Sequence, residues 1–227
     1  MKDDASRYDE LFFENQQQGS MNSARLVLPI VLEQFKPSSL VDVGCGVGGW
    51  AAVAMDLGVK HVIGIDGNYV SPDQLKIPRD KFVAIDLTKD EAQLDERFDL
   101  CMSLEVAEHL PPGRARGFVQ MLTALSDVVL FSAAIPHQGG RNHINERWQS
   151  YWVRLFNEHS YGAQDLVRPR VWTKEGVESW YRQNCLVFVK DTLNDKDIGL
   201  YDVVHPDRYV RRIMKLSQKR TNASPAE

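Results

Sequence analysis

An α/β fold, with a mostly parallel sheet and helices on both faces, is what this sequence predicts, and three observations predict it. Residues 40–43 form a short apolar run with one acid, Asp42, inside it, as in a buried strand. Gly44, Gly46, Gly48 and Gly49 then make a turn, and residues 50–57 are rich in good helix formers. From there apolar runs and helical stretches alternate to about residue 189, the pattern of parallel strands joined by right-handed crossovers.

The lead-in carries Tyr8, Phe12 and Phe13 among polar residues, then a glutamine run and Gly19-Ser20. Residues 23–35 read as a helix with Ser23 as N-cap, and Pro29 either kinks it or sits in its first turn. Strand two is residues 61–65, ending in Asp66-Gly67-Asn68, and strand three is residues 82–85, ending in Asp86-Leu87. Strand four, residues 98–103, runs into Glu105-Val106-Ala107-Glu108-His109-Leu110 before Pro111-Pro112 breaks the chain. A helix over 114–125 and strand five over 127–132 follow, then a polar stretch, 136–147, containing Gly139-Gly140. The remaining elements are a helix over 148–158, strand six within 163–172, a helix over 173–183 capped by Thr173, and strand seven over 185–189. Residues 217–227 read as a frayed end. The expected organisation is one globular unit: an N-terminal helical lid (1–39), a cofactor-binding core (40–190) and a C-terminal extension (191–227).

The chain has 227 residues, 43% of them hydrophobic and 26% charged, enough for one packed α/β core. A net charge of −4 argues against a general nucleic-acid binder. Late basic residues such as Arg208, Arg211, Arg212 and Lys215 read as a solvated helix face. Three cysteines, each in or beside a core strand, point away from a disulfide framework and towards a reducing compartment. No secretory h-region and no apolar run of membrane-spanning length is visible, so a cytoplasmic protein is expected.

Gly44-x-Gly46-x-x-Gly49 satisfies the dinucleotide fingerprint, but Asp42 two residues earlier would repel a pyrophosphate. The same carboxylate would attract a sulfonium or ammonium group, both carried by S-adenosylmethionine (SAM). Asp42, Asp66, Asp86 and Glu105 lie on or after four successive strands, and in open α/β sheets ligands bind at the strands' carboxyl ends. Asp66 stands where an acid could accept hydrogen bonds from both ribose hydroxyls, and Gly67 and Asn68 would allow close approach beside it. The competing reading of each acid is a strand-end residue capping the next helix.

Asp42-x-Gly44-x-Gly46-x-Gly48 resembles the first motif of class I SAM-dependent methyltransferases. The resemblance spans about residues 40–189. It implies a Rossmann-like seven-stranded sheet with an antiparallel last strand and N-terminal lid helices over the cofactor, which would place Tyr8, Phe12 and Phe13 at the cofactor. It also implies a SAM site that includes Gly44, Cys45 and Gly46. Asp86-Leu87 resembles the family's adenine segment. Glu105-Val106-x-Glu108-His109 is similar to a segment of ubiquinone-type O-methyltransferases and of small-RNA 2′-O-methyltransferases. In the RNA enzymes these residues join a later histidine on a divalent metal, and His143 could be that histidine here, giving Glu105, Glu108, His109 and His143. On a helix, 105, 108 and 109 would share one face.

Methyl transfer from SAM needs alignment and water exclusion, with a base only where the acceptor must lose a proton. His143 is the candidate base, with Asn142 and Asn145 to orient an acceptor or the amino-acid end of SAM, and Glu105 and His109 close by. Trp148, Tyr151, Trp152 and Tyr181 are candidates for an aromatic wall, Trp152 reading equally as core. The expected reaction is methyl transfer to a small-molecule acceptor, oxygen before nitrogen. Two rivals remain: a cyclase of the azetidine-2-carboxylate synthase type that releases methylthioadenosine from SAM, and a non-catalytic SAM-binding module.

Overall fold

The computed structural model describes residues 4–89, 94, 96–193 and 198–221, with side chains described from residue 18 to residue 218. Its elements are α1 (Asp4–Phe35), β1 (Ser39–Val43), α2 (Gly49–Asp56), β2 (His61–Asp66), β3 (Phe82–Ala84), β4 (Leu100–Leu104) and α3 (Ala115–Leu125). They continue with β5 (Val128–Ser132), α4 (Gln149–Asn157), β6 (Tyr161–Gln164), α5 (Arg168–Val171), α6 (Ser179–Asn184), β7 (Leu186–Lys190) and α7 (Pro206–Thr221).

The seven strands form one sheet in the order β3-β2-β1-β4-β5-β7-β6. β1 to β5 pair in parallel, while β7 runs antiparallel to both β5 and β6. This is the predicted Rossmann-like sheet. Alternate residues of each strand enter opposite cores. Val41, Val43 and Cys101 pack with Phe118, Trp152 and Phe156 on the α3/α4 face. Leu40, Leu100 and Met102 pack with Val27, Val31 and Trp50 on the α1/α2 face. Burial on both faces is why these strands read as apolar runs rather than as alternating ones. The strand order reverses between β1 and β4, so the loops after those two strands open the crevice where such sheets hold ligands.

Besides strand six, which is Tyr161–Gln164 and leaves the helix Arg168–Val171 inside the range expected for it, four elements depart from expectation. α1 runs unbroken through Gly19, and Ser23 is not an N-cap. Its Oγ donates to the Gly19 carbonyl (2.8 Å) and accepts the Glu178 N–H (2.9 Å), tying α1 to the approach to α6. Pro29 lies inside α1 on the exposed side, where the Arg25 carbonyl it leaves unpaired can bond water. Thr173 caps no helix: Gly176 at φ 84° ends any regular turn there, and α6 begins only at Ser179. The expected frayed end from Ser217 is instead the last turn of α7 as far as Thr221. No described helix is long and apolar enough to cross a membrane.

Residues 105–110 are the fourth departure. They form no α-helix, so Glu105, Glu108 and His109 do not share a helical face. Glu105 takes φ 57°, and a single 3₁₀ turn spans Ala107–His109. Only six residues separate β4 from Pro111, which holds Leu110 extended, so the chain must turn away at once.

Candidate functional site

Three loops meet at the reversal point: the glycine turn after β1, the residues after β2, and Glu105–His109 after β4. Gly44 sits at φ 81°, and a Cβ there would overlap the Val106 side chain, so the first and third loops touch through a glycine. The Gly44 and Cys45 N–H groups both reach the Ile65 carbonyl (2.8 and 3.0 Å), fixing the turn on β2.

Asp66 is buried at the end of β2. Its Oδ2 accepts the Gly46 N–H at 2.6 Å, and its Oδ1 accepts the Gly67 N–H at 2.7 Å and the Tyr69 hydroxyl. The carboxylate thus clamps the glycine turn and already holds a hydroxyl donor. The Tyr69 ring lies over Gly67 yet is 80% exposed, so the contact costs little to exchange.

Asp42 is buried within β1 and faces the Ala51 N–H in the first turn of α2. Burial first, then the neighbouring Asp66, pushes its carboxyl up to about 8. Without a cation beside it, Asp42 is therefore mostly protonated at neutral pH, against the expectation of a standing negative charge. The native state binds the Asp42 proton more tightly than the unfolded chain. This contribution is complete below the ordinary carboxyl range and is lost as pH rises from about 4 to about 8. Asp42→Asn is accordingly expected to flatten the fall of the urea midpoint between pH 5 and pH 8, measured against wild type. Parallel profiles for the two proteins would contradict it.

Asp86 lies beyond β3 and is exposed. The Thr88 hydroxyl and then Lys89 pull its carboxyl down to about 2. Leu87 beside it is buried, and Asn68 is exposed next to Gly67. Asp66 and Glu105 thus share the carboxyl edge of the sheet with the start of the glycine turn, and Asp86 stands outward from them. Tyr8 and Phe13 lie on α1, and their side chains fall outside the described residues.

Glu105 does not join the histidines. Its carboxylate accepts the Gln138 amide at 2.8 Å and the Asn184 amide at 3.0 Å, and Gln138 Oε1 in turn accepts from Asn184 and Gln183 (2.9 and 3.0 Å). Tyr181, buried against Trp50, shares a hydrogen bond with Ser20 on α1 (3.1 Å). Gln138, Gln183 and Asn184 have no local sequence signature, since the bonded amides lie 45 and 46 residues apart.

The histidines are gathered by backbone. The Glu108 carbonyl accepts both the Ile144 and Asn145 N–H groups (2.9 and 3.0 Å), which seats the loop on the 3₁₀ turn. His109 and His143 then stack edge-to-face with centroids 4.8 Å apart, and donor atoms of Glu108, His109 and His143 lie within 4.8 Å of one another. Burial first, then Glu105, holds the Glu108 carboxyl well above its usual range. Desolvation and then His143 hold His109 below its own. His143 Nδ1 meets Glu146 Oε1 at 3.0 Å, and Glu146 also accepts the His137 and Gly139 N–H groups (2.7 and 2.9 Å). A carboxylate on Nδ1 orients the ring and leaves Nε2 for proton transfer.

Asn145 is buried, and its amide is committed to the Ala107 carbonyl (3.4 Å) and to Arg147 (2.9 Å). Asn142 is exposed at φ 58°. A Cβ on Gly140 would overlap the His143 ring. Gly140→Ala is therefore expected to displace His143 and cut turnover at least tenfold, with the thermal midpoint moved little because the loop is exposed. Turnover and melting measured together check this.

The expected aromatic wall divides. Trp152 is core, Tyr151 packs against it, and Tyr181 pairs with Trp50 on the opposite face. Trp148 alone borders an open cavity of about 510 Å³ between the 135–138 loop and α7, whose lining includes Gln138, Gln183, Arg208 and Arg212. The C-terminal extension thus builds part of a pocket that its basic, exposed sequence did not announce.

Residues 13–194 match a family model described as a methyltransferase domain. Solved structures of similar fold include Streptomyces venezuelae DesVI, at TM-score 0.60 and 15% identity over 84% of this chain and 99% of that one. Magnesium protoporphyrin IX methyltransferase from Synechocystis PCC 6803 with bound SAM gives TM-score 0.55 and 19% identity over 76% of this chain and 80% of that one. The methyltransferase domain of bacterial CtHen1-CN gives 0.53 and 17% over 74% and 99%. None of the curated proteins matches.

Proposed function

Since this chain belongs to the methyltransferase-domain family, we propose that it transfers the methyl group of SAM to an oxygen of a small-molecule acceptor. The observation that carries the reading is Asp66. A buried carboxylate beside the glycine turn accepts a hydroxyl from Tyr69 on the same oxygen that bonds Gly67 N–H, which is the bond a ribose hydroxyl would make. Gly44, Cys45, Gly46, Gly67 and Asn68 border the cofactor, Leu87 meets the adenine face, and Asp42 and Glu105 face its cationic end. A cation there draws the Asp42 proton off, so positive charge and carboxylate appear together.

On the acceptor side His143 Nε2 takes the acceptor proton while Glu146 holds the ring. The freed oxygen attacks the methyl carbon, and the C–S pair returns to sulfur. Incubation of the protein with SAM, with and without an extract of small molecules, tests the reading. S-adenosylhomocysteine formed only with an acceptor is the expected product. Methylthioadenosine from SAM alone would replace methyl transfer with cyclisation, and neither product would leave a binding module.

A second reading rests on Glu108, whose two carboxylate oxygens are buried without a hydrogen bond beside His109 and His143. These three residues suit a divalent cation of the Mg²⁺ or Mn²⁺ type, which would supply Lewis-acid polarisation of an acceptor oxygen. Millimolar Mn²⁺ is then expected to raise the thermal midpoint of the wild type and not of His143→Ala. Equal responses would remove the metal.

A further inference from the structure

The cavity beneath α7 is unlike the cofactor crevice in its chemistry. Ile135, Pro136, Trp148, Val204, Ile213 and Leu216 give it apolar walls, and its 510 Å³ lies within the range of small-molecule pockets. Two guanidinium groups, Arg208 and Arg212, stand one helical turn apart on the α7 face that borders it. Among the described residues neither is ion-paired. Arg208 donates to the Gln138 carbonyl (2.6 Å), a neutral acceptor, and Arg212 Nε is shielded from water without a partner. The acids that act on Arg208 are Glu105, Glu146 and Glu178, all through space. Glu105 and Glu146 are already engaged, with the Gln138 and Asn184 amides and with the 137–143 loop respectively. Two cations over an apolar hollow, lacking a carboxylate partner, leave a place for one that arrives with a ligand.

The cavity also adjoins the candidate active site. Gln138 lines it while bonding Glu105, the residue beyond β4 at the reversal point. His137 lines it too, and its N–H is held by Glu146, the partner of His143.

We propose that this cavity seats the acceptor, and that the acceptor is an amphiphilic anion, its apolar body against Trp148 and Ile213 and its carboxylate or phosphate on Arg212 and Arg208. The proposal rests on the methyl-transfer reading for the word acceptor, and on the cavity alone for the ligand class. The 208/212 pair selects for charge, and the apolar walls select for a hydrocarbon or aromatic body of modest size.

Four probes with one body and different heads test it: decanoate, decyl phosphate, decanol and decylamine, each below its micelle concentration. They are titrated by calorimetry into the full chain saturated with S-adenosylhomocysteine. The acids are expected to bind about tenfold or more tighter than decanol and decylamine, and their order identifies the head group. Arg212→Gln is expected to erase that preference while leaving S-adenosylhomocysteine affinity and the melting curve unchanged. A change in tryptophan emission on adding decanoate, lost in Trp148→Phe, places the probe in the cavity. Equal affinity for all four heads would overturn the proposal, as would a preference that survives Arg212→Gln. Binding only to phosphatidylglycerol vesicles, and not to monomeric acids, would make α7 a lipid-surface helix instead. Failure of S-adenosylhomocysteine to bind at all would sink the methyl-transfer reading, and the probes without it would still test the cavity.

Discussion

Asp66→Ala is expected to weaken SAM binding by about a hundredfold or more, because the substitution removes two things at once. It deletes the carboxylate proposed to receive the ribose hydroxyls, each charge-assisted bond contributing about 1.5–3 kcal/mol. It also releases the Gly46 and Gly67 N–H groups, held at 2.6 and 2.7 Å, so the turn that would face the cofactor is no longer pinned to β2. The second effect lowers stability as well, by about 1–3 kcal/mol for each buried amide left unpaired. Calorimetry with SAM and urea unfolding on the same protein measure both. Undiminished affinity in a folded Asp66→Ala protein would remove Asp66 from the site. Asp86→Ala is the control: its carboxylate is exposed and already satisfied by Thr88 and Lys89, so a much smaller loss is expected.

Gly44→Ala is expected to have the largest effect on the fold itself. At φ 81° an alanine pays about 1–2 kcal/mol for the left-handed backbone alone, and here its Cβ would also overlap Val106. The overlap adds a further cost of about 1–3 kcal/mol, the usual range for overpacking a tight site. Two comparisons separate the terms. Gly46→Ala, at φ 55° with open space around the added carbon, should cost the backbone term only. Gly44→Ala combined with Val106→Ala should recover the overlap term and keep the backbone one. Urea midpoints of the four proteins test this. Equal losses at Gly44 and Gly46 would mean that the loop after β4 moves freely and does not brace the turn.

Much of the frame was legible because its signals are local. Strand one, the glycine turn and α2 follow one another within 18 residues of chain, and the apolar runs of β1, β4 and β5 announce burial on both faces. The place of Asp66 was readable for the same reason, at the end of a strand and at a fixed distance along the chain from the turn. The histidine pair was half readable. His109 and His143 stand out as residue types, but the Glu108 carbonyl that gathers them is a backbone atom and carries no mark in the sequence. The helical face assumed for Glu105, Glu108 and His109 failed because two prolines and a left-handed residue leave no length for a helix.

The ends of the chain misled most. A helix start at Ser23 is what the sequence reads, yet α1 passes through Gly19-Ser20, where Glu178 packs against Gly19 and Ser20 bonds Trp50 and Tyr181. The late basic residues read as a solvated helix face, and they do lie on a helix, yet α7 turns the side carrying Arg208 and Arg212 to the loop after β5.

By itself the sequence determined the sheet, its glycine turn and the class of chemistry, because periodicity and backbone permissiveness are written residue by residue. Only the tertiary structure decided which groups meet: Glu105 with Gln138 and Asn184, His143 with Glu146 and His109, Arg212 with an apolar hollow. Those meetings depend on loops closing across many tens of residues, and a hydrogen bond between distant amides leaves no period in the chain that forms it.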